Sequence, residues 1–245
     1  MRHGHESYWS FNLYPAAGEG GGCFVPTLRP RPVNLGPAAD PERSQVEAAR
    51  RARAKLRRYA AANRLNRLWT LTYAGEGCFD HGQLRVDVAG FFRGLRGGLG
   101  RSIPYVWVPE WHPGGHGLHV HFTVGRYVRH GLIKEVWGRG RVHVRLIGDL
   151  PVGSGALEEA RVAAGYLAKY VSKSIGDERV PRLHRYEVAQ GFQPERVPLR
   201  ADSEAAVIEA ASAHMGSPPA LRWRSAEQEG WRASPAYWCA WNGCE

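Results

Sequence analysis

The sequence predicts an α+β fold: one antiparallel sheet built in the order βαββαβ, with helices over one face. Three observations predict it. Residues 67–75, 104–111, 117–125 and 141–148 are rich in aromatic and β-branched residues, and the last three alternate as strands do. Apolar residues at helical spacing lie between the first and second of these and between the third and fourth. The turn-forming HPGGHG joins the middle pair into a hairpin.

The elements follow in order. Residues 1–41 hold GEGGG and RPRPVNLGP and read as an irregular arm with no element of its own. From Asp40, DPERSQVEAARRARAKLRRYAAANRL has an acidic start, alanine-rich helix formers and a run of arginines, which predicts a long basic helix. Such a run serves as a solvated face or lies along a phosphate backbone. RLWTLTYAG is the first strand, and VDVAGFFRGLRGGLG follows as a helix weakened by its glycines. PYVWVPEW and GLHVHFTVG form the hairpin, VRHGLIKEVWG a short helix and RVHVRLIG the fourth strand. SGALEEARVAAGYLAKYVSKSIG has the clearest helical signature, with Ser154 at its start, Glu158 and Glu159 in its first turn and Gly176 as a stop. This order is the ferredoxin-like (RRM-like) arrangement with an extra helix behind it. Residues 42–178 are thus expected to form the principal domain. Residues 179–245 form a tryptophan-rich extension with one helix, DSEAAVIEAASAHM.

Composition narrows the function classes. With 245 residues and 43% hydrophobic content the chain can build a real core. Its 33 Lys and Arg against 23 Asp and Glu give a net charge of +10, which favours a polyanionic partner through counterion release. No apolar run approaches the roughly 18 residues a spanning helix needs, and MRHGHESYWSFNLY lacks an apolar signal core, so no membrane partner and a cytoplasmic location are expected. Cys23, Cys78, Cys239 and Cys244 lack zinc-finger spacing; Cys239 and Cys244 could pair, and free thiols are the alternative.

Chemistry concentrates in two places. In LHVHF, His119 and His121 point to one side of a strand while Leu118, Val120 and Phe122 point to the other. Two imidazoles on one face can share a metal ion. Glu110, on the partner strand, is the first candidate for a third ligand and His112 the second, with His116 in an exposed turn. Two imidazoles and a carboxylate leave positions open for a substrate oxygen on a divalent ion. In GYLAKYVSKS, the stripe Leu157, Ala160, Ala164, Leu167, Val171 and Ile175 is complete without Tyr166 and Tyr170, which fall together one turn apart. Both belong to a Y-x-x-K pattern, Tyr166 with Lys169 and Tyr170 with Lys173. A phenol attacks only when deprotonated or when its target is made electrophilic, and a metal on a phosphate oxygen supplies the second route. Metal ligands, tyrosines and lysines on a basic chain point to phosphoryl transfer to tyrosine.

These residues resemble the rolling-circle replication initiators (Rep) of the HUH endonuclease superfamily, named for histidine, hydrophobic residue, histidine. EWHPGGHGLHVHF resembles its metal motif, YLAKYVSK its tyrosine motif in the two-tyrosine form of plasmids and single-stranded-DNA phages, and LWTLTYAG its first, structural motif. The resemblance runs over about residues 67–176. It implies the HUH fold, with His119, His121 and Glu110 (or His112) binding Mg²⁺ or Mn²⁺. It also implies attack by Tyr170 or Tyr166 on single-stranded DNA at a replication origin, giving a 5′-phosphotyrosyl link and a free 3′-hydroxyl for a polymerase. With no G-x-x-x-x-G-K-[ST] in the sequence, unwinding would fall to a host helicase or to supercoiling. Three alternatives carry different expectations. A conjugative relaxase or a transposase would share the chemistry and differ in substrate. A non-catalytic single-strand binder would stack bases on Trp69, Trp107 and Trp111, and a zinc hydrolase would use the histidine pair alone.

Overall fold

The computed structural model describes residues 6–27, 41–146, 156–173, 186–231 and 233–241, without the side chains of 41–43, 45, 146, 156 and 170–173. In chain order the elements are β1 (Tyr8–Tyr14), β2 (Glu19–Val25), α1 (Pro41–Ala62), β3 (Arg67–Leu71), α2 (His81–Leu99), β4 (Tyr105–Trp111) and β5 (Leu118–Val124). They continue with α3 (His130–Trp137), β6 (Val142–Leu146), α4 (Ala156–Lys173), β7 (Glu187–Val188), β8 (Val197–Ala201), α5 (Glu204–Met215), β9 (Leu221–Arg224) and β10 (Ala236–Ala240). Two compact units result: Gln45–Gln193, and Met1–Ser44 together with Pro194–Glu245.

In the Gln45–Gln193 unit, β3, α2, β4, β5, α3 and β6 reproduce the predicted βαββαβ order. The sheet order β6-β3-β5-β4-β7 is the ferredoxin-like one, antiparallel at every pairing, with the two-residue β7 added at an edge. α2 begins five residues before the apolar run that predicts it, because Asp80 accepts the Gly82 N–H at 2.7 Å and so caps the helix earlier. The Ser154 cap and the Gly176 stop expected for α4 lie outside the described residues.

The sheet's two faces carry different cores. Trp69, Trp107, Leu118, Val120, Phe122 and Val124 pack on α2 and α3. Leu68, Val106 and Val108, on the opposite face, pack on α1 through Leu56 and Tyr59 and on α4 through Ala163, Ala164 and Leu167. The predicted arrangement, helices on one face, holds for the two crossover helices α2 and α3, while α1 and α4, which flank the βαββαβ core in sequence, cover the other. β5 is buried along its whole length for this reason. Trp69 and Trp107 are 3% exposed and belong to the core, so neither is available to stack bases.

The other unit corrects the expected arm and the expected domain boundaries. Residues 8–25 form a hairpin, and its strands pair with β8 and β10 from the C-terminal segment in the sheet β8-β1-β2-β10-β9. The glycines that suggested a loop instead permit close approach: a Cβ on Gly22 would lie 1.7 Å from the Ser10 carbonyl oxygen. α5 packs Val207, Ile208 and Ala211 on one face of this sheet against Phe11, Leu13, Tyr237 and Trp241. Residues 28–40 of the expected arm lie outside the described residues.

Candidate metal centre

Register brings the metal candidates together. β4 and β5 pair with Glu110 opposite His119 and Val108 opposite His121, and directly opposed residues share a face. Glu110 therefore projects beside both imidazoles, with its side chain only 13% exposed and each histidine 6% exposed. His119 Nε2 and His121 Nε2 lie 2.8 Å apart, and Glu110 Oε2 lies 3.1 Å from the first and 2.8 Å from the second. Among the described residues these three form the group whose ligand atoms could hold one ion.

Hydrogen bonding alone does not account for that spacing. If both Nε2 atoms donate to the carboxylate, their two protons face each other across 2.8 Å. A cation on all three removes the conflict. Cis donors of an octahedral ion at about 2.1 Å stand about 3.0 Å apart, whereas tetrahedral donors at about 2.1 Å stand about 3.4 Å apart. The observed 2.8–3.1 Å matches one face of an octahedron, which leaves three positions for other oxygens. Ligation through Nε2 also fixes the tautomer, putting the proton of His121 on Nδ1, where Thr70 Oγ1 accepts it at 3.0 Å. His119 Nδ1 is buried and has no partner among the described residues.

His112 stands one ring further out. β4 ends at Trp111, and His112 is exposed, its Nδ1 accepting the Gly114 N–H at 3.0 Å. Its ring centroid lies 5.4 Å from that of His119 and 5.3 Å from that of His116, which is exposed as expected.

α4 packs on the sheet face that bears the histidines, since Val106 and Val108 share that face with Thr123 and His121. Tyr166 is half-buried against this core, so it is not as free of packing as the completed stripe suggests. Its ring lies 5.0 Å from Lys169 Nζ and 5.5 Å from the Arg145 guanidinium. Two cations at one aromatic ring form an electropositive surface. The side chains of Tyr170 and Lys173 lie outside the described residues.

Sequence reasoning missed Thr70 and Arg145. Thr70 is a polar residue on the inward phase of an apolar strand, and Arg145 is two residues from His143 on that same phase. Both signals are visible once the register of β3 with β5 and β6 is known.

A family model described as a replication-associated protein of the ORF2 type matches residues 66–175. The match supports a Rep protein. It runs from the residue before β3 to just past α4, and so contains the three clustered ligands together with Tyr166 and Tyr170. It gives the chain a link to DNA replication and makes an endonuclease with a divalent metal plausible. No curated protein and no solved structure matches the chain. No helix among the described residues is long and apolar enough to cross a membrane.

Proposed function

We propose that the Gln45–Gln193 unit is a nicking and joining endonuclease of the HUH superfamily, in its two-tyrosine form, that starts rolling-circle replication on single-stranded origin DNA in the cytoplasm. The observation that carries this reading is the convergence of Glu110 Oε2, His119 Nε2 and His121 Nε2 within 3.1 Å on the sheet face that α4 covers. Mg²⁺ or Mn²⁺ held by these three would draw charge from a phosphate oxygen and make phosphorus electrophilic. Glu110, the two imidazoles and the Thr70 hydroxyl orient the site. Tyr170 or Tyr166 supplies the phenol, and we favour Tyr170 as first nucleophile. The phenolic oxygen bonds to phosphorus and the P–O3′ bond breaks. The phenol's proton passes to solvent, and the leaving 3′-oxygen takes one up to become the 3′-hydroxyl that a polymerase extends. Lys169, Lys173 and Arg145 favour phenolate over phenol and hold the phosphate. Because the phosphotyrosyl ester keeps the bond energy, a second attack can rejoin strands. A host helicase would open the duplex.

Labelled single-stranded origin DNA with Mn²⁺ should give a covalent adduct that survives SDS and is absent with EDTA. Replacing both Tyr166 and Tyr170 by Phe should abolish it; an adduct that persists puts the nucleophile elsewhere. His119→Ala should lose cleavage and keep most of the salt-sensitive binding. Equal loss of both would make the histidines structural. An origin hairpin, a transfer origin and a transposon end, offered in parallel, separate an initiator from a relaxase or a transposase.

A further inference from the structure

Beside the metal hairpin lies an open cleft of about 580 Å³, walled by the loop after β3, the first turns of α2 and Arg139. At its rim Phe79 is 58% exposed, with its ring centroid 6.1 Å from that of Trp111. The loop that presents Phe79 is fixed to the hairpin. The Leu118 N–H donates to the Cys78 carbonyl at 2.6 Å, and Gly117 approaches so closely that a Cβ there would lie 2.4 Å from the same oxygen. The cleft is therefore tied to the chain one residue from His119.

Its polar lining is organised around Asp87, which is 5% exposed. Asp87 Oδ2 accepts the Tyr73 hydroxyl at 2.9 Å, and Oδ1 accepts the Gln83 amide at 3.1 Å and Arg139 Nε at 2.9 Å. Arg139 also donates through Nη1 to the Trp137 carbonyl at 3.2 Å, yet its side chain is 44% exposed. A guanidinium has five N–H donors, so others remain for an anion in the cleft. A flat aromatic face, an amide edge and a held cation together match a base face, a base edge and a phosphate.

We propose that this cleft seats one nucleotide of a single strand, next to the phosphate at the metal centre, with its base on Phe79 and its backbone phosphate on Arg139. The proposal rests on the single-stranded-DNA reading above and adds a reason for strand choice. A base can offer its face to Phe79 only when it is unstacked, which a paired duplex does not allow.

The test uses the full chain and a fluorescein-labelled single-stranded 20-mer of mixed sequence, with anisotropy read in EDTA. Phe79→Ala should weaken binding about tenfold, the scale of one lost base stack. Phe79→Trp should hold binding, and Val86→Ala, an exposed change on α2, should leave it alone. Abasic sites in the oligonucleotide should weaken wild-type binding and cost Phe79→Ala less. Arg139→Gln should lower the slope of log affinity against log salt by about 0.7, one phosphate's share. Phe79→Ala or Phe79→Leu binding as tightly as wild type overturns the seat. If the wild type still forms its Mn²⁺-dependent adduct, only the seat is lost. A wild type that binds no single strand overturns both readings.

Discussion

Thr70 tests whether the histidines are held as metal ligands. Thr70→Val keeps the side chain's shape and removes the acceptor for His121 Nδ1. Loss of such an outer partner typically costs 10- to 100-fold in metal affinity, so Mn²⁺ titration by calorimetry should show a drop of about that size while the melting temperature stays close to wild type. An unchanged affinity would mean that the hydroxyl does not orient the ring. Glu110→Gln should lower the affinity further, because it removes the one carboxylate from the ligand set. These residues also mark how far the sequence could be read. Strand alternation alone put His119 and His121 on one face, and hairpin pairing made Glu110 the leading third ligand. Thr70 and Arg145 could not be found in that way, since their roles depend on which strands lie beside β3, and pairing partners distant in sequence leave no local mark.

α4 joins the site by small residues: Ala160, Ala163 and Ala164 let its backbone come near the sheet, and Leu167 fills the core between them. Leu167→Ala should cost about 2–5 kcal/mol in chemical denaturation, the range for a buried leucine truncated to alanine. It should also reduce adduct formation, by loosening the helix that carries both tyrosines. On the hairpin of β1 and β2, Gly22→Val would drive a side chain into the Ser10 backbone. A loss of about 1–3 kcal/mol, the usual size of an overpacking penalty, is expected on thermal melting. The helices α2, α3, α4 and α5 were legible because apolar spacing and caps are local signals. The β1–β2 hairpin was not, because three consecutive glycines have the composition of a loop, and only their neighbours show that the strand requires them.

Over the whole molecule, charge and burial set the response to solution conditions. A net charge of +10 implies that single-strand binding falls linearly with log salt, by about 0.7 per phosphate contacted. Burial pushes the Cys239 thiol from 9.0 up to about 11, and burial raises Tyr59 and Tyr237 as well. All three are acids that the folded chain keeps protonated longer than the unfolded chain does. Their stabilisation is complete below pH 9 and is lost as pH climbs through 11. Denaturation midpoints should therefore fall across that alkaline range and stay flat for these groups near neutrality. The second sheet has a consequence for how the chain matures. β1 and β2 emerge from the ribosome early, yet their neighbours β8 and β10 follow only after the whole Gln45–Gln193 unit has been made. Until then both edges of that early hairpin stand open to foreign strands. Nascent chains halted at residue 193 should bind chaperone and aggregate, and should become protease-resistant in this region only when synthesis passes residue 240.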